Sequence, residues 1–205
     1  MRNAKLIKQD ILFDKYGKKF IVDHLEQADG QSDFWAYVSG PGGVIIVALD
    51  KDLNLVLVRQ YRYTLKDFTY ENPAGATDNN ESRLDTAKRE LFEEAGYKSD
   101  SFIDLGNYHA LTNETNHHTS IYLALNCQFI SPPTLDPYSE KYCEMTTELH
   151  PFKEVFDSLG KEDSLIKDTE HVAALFLAHR YLLDNKILWF YLSSALILWI
   201  FIANH

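Results

Sequence analysis

Eight residues at fixed spacing between positions 75 and 96 constrain this chain more than any other feature of its sequence. They follow the pattern G-x5-E-x7-R-E-L-x-E-E-x-G and are Gly75, Glu81, Arg89, Glu90, Leu91, Glu93, Glu94 and Gly96. Seven of them are glycine or charged, and each has a chance of about one in fifteen to one in twenty of standing at its position. Coincidence is therefore negligible, and the segment predicts a helix with a specific chemical task.

The same segment has the periodicity of an amphipathic helix. Its apolar residues recur at steps of three and four, which places them on one face. They are Leu84, Ala87, Leu91 and Ala95. Thr77 or Asp78 could cap the start of this helix, and Gly96 would end it.

Three carboxylates lie together on the polar edge of the predicted helix. Glu90 and Glu94 are one turn apart, and Glu93 stands beside them. Like charges this close repel each other, so the cluster either faces solvent or binds a cation. A hard divalent cation such as Mg²⁺ takes oxygen ligands and keeps several waters.

Arg89 stands next to these carboxylates and could orient them. At four-residue spacing it could pair with Asp85 or with Glu93, and Glu81 could hold it from the start of the helix. In each of these arrangements the arginine positions the acidic edge.

Short strands precede and follow the predicted helix. Residues 5–38 hold apolar bursts separated by turn residues, as expected of antiparallel strands. Val44–Leu49 and Leu53–Val58 flank a short polar loop and predict a hairpin. Ser120–Leu125 predicts a further strand.

The C-terminal third holds a loop, a helix and an apolar run. Residues 131–148 are loop-rich, with two adjacent prolines. A helical pattern extends from about Thr169 to Leu183, with one face formed by Val172, Leu175, Phe176, His179 and Leu183. Residues 187–203 carry no charge and would span about 25 Å as a helix, at the lower limit for a bilayer of about 30 Å. This run predicts either a membrane tail or a last helix buried in the core or in a dimer interface.

Composition excludes several classes of protein. With 45% hydrophobic and 13% aromatic residues, the chain is neither disordered nor of low complexity. Its 20 Lys and Arg residues against 30 Asp and Glu residues give a net charge of −10, which repels phosphate backbones, so nucleic acid is not expected as a partner. Cys127 and Cys143 match no metal-ligand spacing and predict reduced thiols. Because the N-terminus has no secretory signal pattern, we expect a cytoplasmic protein.

The motif resembles the Nudix box of the Nudix hydrolases, with Tyr97 where a smaller aliphatic residue is usual. Residues 58–63 and 71–75 are similar to the segments that distinguish the ADP-ribose and nucleoside-diphosphate-sugar pyrophosphatase branch. The resemblance implies an α/β fold, namely an α/β/α sandwich with a mixed central sheet and an N-terminal antiparallel strand region.

The chain then divides into three expected parts. Residues 1–40 would form N-terminal strands, which in this branch help to build a homodimer. Residues 41–184 would form the Nudix hydrolase domain, and residues 185–205 the apolar tail.

The resemblance also implies a metal site. Glu90, Glu93 and Glu94 match metal-binding positions of the box, and the backbone carbonyl of Ala74 matches a further ligand. Mg²⁺, or Mn²⁺ in its place, is therefore the expected cofactor, and Glu93 is also expected to take part in catalysis. Residues that match the structural positions of the motif are Gly75, Glu81, Arg89 and Gly96.

Three residues before the motif are candidates for substrate binding. Arg59 and Arg62 could contact phosphates, because a guanidinium fork suits phosphate oxygens, or they are solvated charges at a strand end. Tyr70 could stack on a base or pack in the core.

In this branch a general base comes from a glutamate on a loop downstream of the box. The candidates are Glu140, Glu144 and Glu148, and Glu144 falls nearest the expected place. ADP-ribose-cleaving members usually carry a Ser-Pro-Gly-like element after the box. Residues 108–118 contain no proline, which leaves other sugar nucleotides or dinucleotides open.

The resulting hypothesis is a Mg²⁺-dependent pyrophosphatase that cleaves the diphosphate bond of ADP-ribose or a related nucleoside-diphosphate sugar. The alternative is a catalytically silent domain that binds a nucleotide as a sensor. The intact carboxylate set favours the enzyme. Expected partners are a nucleoside-diphosphate-linked small molecule and a second copy of the chain, with membrane contact through residues 187–203 as a further prediction.

Overall fold

The computed structural model describes residues 3–134 and 144–188, and this part of the chain forms eleven strands and three helices. The strands are β1 (Lys5–Lys15), β2 (Lys18–Glu26), β3 (Ser32–Ser39), β4 (Gly43–Asp50), β5 (Asn54–Arg62), β6 (Asp67–Glu71), β7 (Ala74–Ala76), β8 (Tyr97–Lys98), β9 (Ser101–His109), β10 (His118–Phe129) and β11 (Met145–Pro151). The helices are α1 (Arg83–Ala95), α2 (Phe152–Ser158) and α3 (Thr169–Asp184).

A mixed sheet of eight strands forms the centre of the described fold. Its hydrogen-bonded path is β11-β5-β4-β10-β8, while β6 pairs with β5, β7 with β4 and β9 with β10. β10 is parallel to β4, and the other pairs in this sheet are antiparallel. The predicted hairpin is confirmed, because β4 and β5 pair at Leu49 and Leu55. The strand predicted at residues 120–125 lies within β10.

Strand β4 contributes to two cores, although every residue from Val44 to Leu49 is buried. Its residues Ile45, Val47 and Leu49 pack with side chains of α2 and α3. The alternate residues Val44, Ile46 and Ala48 pack with side chains of α1. Successive side chains of a strand point to opposite faces, so helices cover both faces of the sheet. This arrangement confirms the predicted α/β/α sandwich.

A separate antiparallel sheet, in the order β1-β2-β3, precedes the main sheet. It confirms the strands predicted for residues 5–38. Ile21 is buried, but Phe34 and Trp35, which follow each other on β3 in an unbroken register with β2, are both exposed and point to opposite faces. The sheet connects to the rest of the fold through Val38, whose N–H donates to the Glu114 carbonyl at 2.8 Å. In the single chain both faces of this sheet therefore expose apolar side chains.

Helix α1 begins later than the sequence predicted. Its cap is Ser82, whose hydroxyl accepts from the Asp85 N–H at 3.1 Å, so the prediction of a cap at Thr77 or Asp78 was wrong. The Thr77 N–H donates instead to the loop before β4, which keeps this residue out of the helix. The predicted end is confirmed, because Gly96 closes the helix in the left-handed conformation with φ 74°.

Two predictions for the C-terminal third need correction. Residues 145–148, predicted as loop, belong to β11 because they pair along β5; residues 135–143 lie outside the described residues. Helix α3 was predicted almost to its ends, but its buried face is His171, Ala174, Leu175, Ala178 and Leu182. Phe176 and Leu183, predicted on the buried face, are exposed. The small alanines allow close contact with the sheet, and this turns the larger residues outward.

Most of the predicted apolar tail lies outside the described residues, which end at Leu188. Ile187 and Leu188 pack against the core formed with α2 and α3. Among the residues that the structure describes, none belongs to a helix long and apolar enough to cross a membrane.

Candidate active site

The bend at Pro73 and the first two residues of β7, Ala74 and Gly75, which we together call the turn, pack directly on helix α1. The Ala74 N–H donates to Glu94 Oε2 at 2.9 Å, and the Pro73 carbonyl accepts from an N–H of β4 at 2.9 Å. Gly75 lies so close to the Glu90 carboxylate that a Cβ on Gly75 would stand 2.0 Å from it. The first glycine of the motif is therefore required by a close approach of backbone and carboxylate.

Arg89 and its carboxylate partners Glu81, Glu90 and Glu93 form what we call the Arg89 group. Nε and Nη2 donate to the two oxygens of Glu81, both at 3.0 Å. Nη1 donates to Glu90 at 2.8 Å and to Glu93 at 2.9 Å. Nη2 also donates to the Ala76 carbonyl at 3.0 Å. Of the pairings considered from the sequence, those with Glu81 and Glu93 are thus formed.

The charges of the Arg89 group do not balance. Hydrogen bonds from Arg89 hold the pKa of Glu81 below its ordinary value. The same bonds, chiefly that to Glu81, raise the pKa of Arg89. All three carboxylates are paired with one guanidinium, so three negative charges against one positive charge leave an excess of two. Such an excess attracts cations.

Glu90, Glu93 and Glu94 lie near one end of α1 but bind different partners. Glu90 and Glu93 share Arg89 Nη1, and Glu94 accepts from the Ala74 N–H. The Glu93 side chain is 42% exposed and that of Glu90 is 10% exposed. Within residues 3–134 and 144–188, no three His, Cys, Asp or Glu side chains are grouped tightly enough to hold a metal ion. A cation bound by these carboxylates would compete with Arg89 for the oxygens of Glu90 and Glu93.

Arg59 and Arg62, the predicted phosphate contacts, have different surroundings on β5. Arg62 forms an ion pair with Glu71, with its Nε donating to Oε1 at 2.8 Å. The Arg59 guanidinium lies 3.8 Å from the centre of the Phe68 ring, which is a cation–π contact. Arg62 is therefore paired with a protein carboxylate, whereas Arg59 stacks on the face of an aromatic ring.

Tyr70 and the candidate bases lie on or near β6 and β11. The Tyr70 hydroxyl donates to Glu148 Oε2 at 3.1 Å, and burial raises the pKa of Tyr70. Glu144 is exposed, and its carbonyl accepts from the Tyr61 N–H at 3.3 Å. Glu140 lies outside the described residues. Glu148 is thus in contact with a predicted substrate-binding residue, and Glu144 stands beside the end of β5.

A buried cluster behind the turn was not predicted from the sequence. We call Glu71 with its partners Gln60, Arg62 and Thr69 the Glu71 group. Glu71 accepts from Thr69 Oγ1 at 2.6 Å and from Gln60 Nε2 at 3.2 Å. Burial alone would raise the pKa of Glu71, but the hydrogen bonds from Arg62 and Thr69 outweigh it and the pKa lies below its ordinary value.

His171 adjoins this cluster, and its Nδ1 accepts from the Asn72 N–H at 3.1 Å. The two residues are 99 positions apart. Residues 71–75 are singled out by the sequence, whereas His171 lies in a helical pattern whose predicted apolar face does not include it. No sequence signal joined them.

The sequence of this chain is similar to those of several known proteins. The chain is 37% identical over 94 residues to the methanol dehydrogenase activator of Bacillus methanolicus, covering 46% of this chain and 51% of that protein. It is 26% identical over 120 residues to the ADP-ribose pyrophosphatase of Bacillus subtilis, covering 58% of this chain and 65% of that protein. The matches thus span between half and two thirds of the length of these relatives.

The crystal structure of an ADP compounds hydrolase has the same fold, with a TM-score of 0.73 at 20% sequence identity. The superposition covers 89% of this chain and 95% of the other. The model of the NUDIX domain family matches residues 41–173, which include the turn at Ala74, the Arg89 group and the strands that hold them. The chain therefore belongs to the Nudix family.

Proposed function

We propose that this protein is a Mg²⁺-dependent hydrolase that cleaves the diphosphate bond of ADP-ribose or a related nucleoside-diphosphate sugar. The products would be a nucleoside monophosphate and a sugar phosphate. The observation that carries the proposal is the acidic edge of α1. There Glu90 and Glu94 pack on the turn at Ala74, and Arg89 is paired with more carboxylates than its single charge can neutralise. The ADP-ribose pyrophosphatase among the relatives supports the substrate class.

The donor chemistry of these residues fits a hard divalent cation, although their carboxylates are not grouped around one point in the described part of the chain and Glu90 and Glu93 would have to turn from Arg89 to bind it. Glu90, Glu93 and Glu94 offer carboxylate oxygens, and the Ala74 carbonyl adds a neutral oxygen on the turn that Glu94 holds. Mg²⁺ prefers such ligands and retains several waters, and Mn²⁺ accepts the same oxygen donors. Bound cations would reverse the local sign of the field, which explains how a chain with a net charge of −10 could bind a polyanion.

The reaction is attack of water on one phosphorus with cleavage of its bond to the bridging oxygen, which leaves with the second phosphate. Bound metal ions would supply charge neutralisation and an activated water. Arg89 orients Glu90 and Glu93, and Arg59 stabilises negative charge on the phosphates. Glu144 is our choice of general base for the attacking water, ahead of Glu148.

The residues that we propose to contact or position the substrate lie on β5, β6 and β11. Tyr70 binds the substrate through its ring, and Glu148 positions Tyr70 through the hydroxyl hydrogen bond. Arg62 contributes indirectly, because its guanidinium is committed to Glu71. Glu93, the most exposed of the three helix carboxylates, would assist proton transfer in addition to binding metal.

A substrate panel tests the proposal. ADP-ribose, other nucleoside-diphosphate sugars and NADH are each incubated with the protein, with and without Mg²⁺, and the products are identified. We expect hydrolysis of at least one compound that stops when the metal is chelated. Nucleotide binding without turnover of any compound would overturn the proposal and support a catalytically silent sensor.

We also propose that the N-terminal sheet forms the contact of a homodimer. Exposed apolar side chains such as Phe34 and Trp35 occur on its two faces, Leu12 on β1 is also exposed, and exposed apolar surface marks an interaction site. Sedimentation analysis should show a dimer that Leu12→Glu dissociates and that Lys15→Glu, on the same strand, does not. A monomeric wild-type protein would contradict this proposal.

A further inference from the structure

We propose that His171 is a positioning residue for the metal site: its Nδ1 holds the backbone of Asn72 and so determines where the turn that follows presents the Ala74 carbonyl. The inference rests on the proposed function, because the position of this carbonyl matters if it binds a metal ion. His171 lies on α3, far along the chain from the motif that carries the carboxylates.

The contact is a buried hydrogen bond of fixed direction. The Asn72 N–H donates to His171 Nδ1 at 3.1 Å, and Asn72 Nδ2 lies 3.3 Å from the same nitrogen. His171 is 6% exposed and Asn72 is 1% exposed, so water does not compete for these groups. Because a backbone N–H can only donate, Nδ1 must be unprotonated, and the neutral ring carries its proton on Nε2. Nε2 faces Glu71 Oε2 at 3.7 Å.

This contact continues directly into the turn. After Asn72, the Pro73 carbonyl accepts from the Ile46 N–H at 2.9 Å. The Ala74 N–H then donates to Glu94 Oε2 at 2.9 Å. Three successive residues are thus held by three elements, α3, β4 and α1. Loss of the contact from α3 would release the first of these anchors and leave a buried N–H without an acceptor.

Burial keeps His171 in the form that this contact needs. Burial lowers the pKa of His171, and Arg62 on β5 acts in the same direction, while Glu71 on β6 and Asp168 before α3 oppose it. Protonation of Nδ1 would place an N–H against the Asn72 N–H and remove the acceptor. The turn therefore requires a neutral acceptor at this place and not simply the volume of a ring.

Two substitutions separate the acceptor from the volume of the side chain. In His171→Asn the amide oxygen can take the place of Nδ1 and accept from the Asn72 N–H. In His171→Gln the amide group stands one bond farther out, near the place of Nε2, so the Asn72 N–H loses its acceptor although the side chain is polar and closer in volume to histidine. Ala178→Gly is the matched control, because Ala178 lies in the core on the same helix.

The measurements are the dissociation constant of Mn²⁺, by titration calorimetry on the full chain, and kcat and KM for ADP-ribose. Supporting residues around metal ligands typically change affinity or activity by about tenfold or more when replaced. We therefore expect His171→Gln to weaken Mn²⁺ binding and lower kcat by about tenfold, and His171→Asn to stay within about threefold of wild type. Ala178→Gly should leave both quantities unchanged.

Equal losses in the Asn and Gln variants, or wild-type Mn²⁺ binding by His171→Gln, would overturn the proposal. A loss of Mn²⁺ affinity in Ala178→Gly as large as that in His171→Gln would do the same, because general loosening of α3 would then explain the effect. If the wild-type protein binds Mn²⁺ but hydrolyses no compound of the panel, the proposed function fails, and the Mn²⁺ measurements still decide the role of His171. If the wild-type protein binds no Mn²⁺, both proposals fail.

Discussion

Glu71 precedes the turn in the chain and Arg89 contacts Ala76, the residue that follows it, but the Glu71 group and the Arg89 group are built in opposite ways. In the Arg89 group one arginine serves three carboxylates, and negative charge is in excess. In the Glu71 group one carboxylate, with a side chain 7% exposed, is paired with one arginine that is 45% exposed. The buried member is the acid and the solvated member is the arginine, so the pair is neutral and fully bonded.

The two groups show that stability and cation binding depend on different arrangements of charge within this fold. A buried carboxylate costs free energy unless hydrogen bonds and an opposite charge compensate it, and the Glu71 group provides both. An excess of carboxylates over arginine, as in the Arg89 group, leaves negative charge uncompensated and provides oxygen ligands for a cation. The neutral group thus supports the turn, and the charged group is the candidate for binding metal.

The largest effect is expected where the turn meets α1. Glu94→Gln keeps an acceptor for the Ala74 N–H but removes a negative charge from the metal site, so kcat should fall by more than about 10²-fold with normal folding. Steady-state kinetics and thermal unfolding measure the two effects. Glu154→Gln, which changes an exposed carboxylate on α2, is the control. Wild-type turnover by Glu94→Gln would show that this edge does not bind the catalytic metal.

A smaller effect, on stability, is expected in the neutral group. Glu71→Ala removes the buried acid and leaves the hydrogen-bond donors of Gln60 and Thr69 to find other partners, so the free energy of unfolding should fall by about 2 kcal/mol. Urea denaturation measures this change. Asp67→Ala, at an exposed position on the same strand, should change it by less than about 0.5 kcal/mol. A loss no larger than that of the control would mean that the Glu71 group does not stabilise the fold.

The pH dependence of stability should distinguish His171 from Glu71. The folded-state pKa of His171 lies below its ordinary value of 6.5, so the unfolded chain binds a proton first as the pH falls. Stability is therefore fully present above pH 6.5 and declines as the pH falls from there toward the folded-state pKa. His171→Asn should remove this part of the pH dependence in urea denaturation. Glu71, whose pKa is lowered from 4.5, affects stability at lower pH, and an unchanged slope below pH 6.5 in the variant would contradict the assignment.

The smallest effect on stability is expected at the exposed end of the Arg89 group. Glu93→Gln removes an ion pair whose carboxylate side chain is 42% exposed, so the free energy of unfolding should change by less than about 0.5 kcal/mol. The same variant should lose activity, because Glu93 is a proposed metal ligand. A large loss of stability, measured by urea denaturation, would show that the Arg89 group resembles the Glu71 group more than we infer.

Local patterns predicted the parts of the fold in which neighbours along the chain decide the structure. The hairpin at Asp50 and the end of α1 at Gly96 are examples, since each depends on a few adjacent residues. The start of α1 was predicted wrongly because Thr77, Asp78 and Ser82 are all good caps. Ser82 caps the helix because the Thr77 N–H donates to the loop before β4. This long-range contact cannot be recognised from a local sequence pattern.

The sequence by itself determined which carboxylates lie together near one end of α1, because residues on one helix have positions fixed by 3.6 residues per turn. It also indicated Glu81 as a partner of Arg89. Only the tertiary structure decided that Arg62 serves Glu71 and that His171 meets Asn72. The physical reason is that these hydrogen bonds depend on how β5, β6 and α3 pack together, and a distance of 3.1 Å between residues 99 positions apart cannot be derived from the periodicity of either segment.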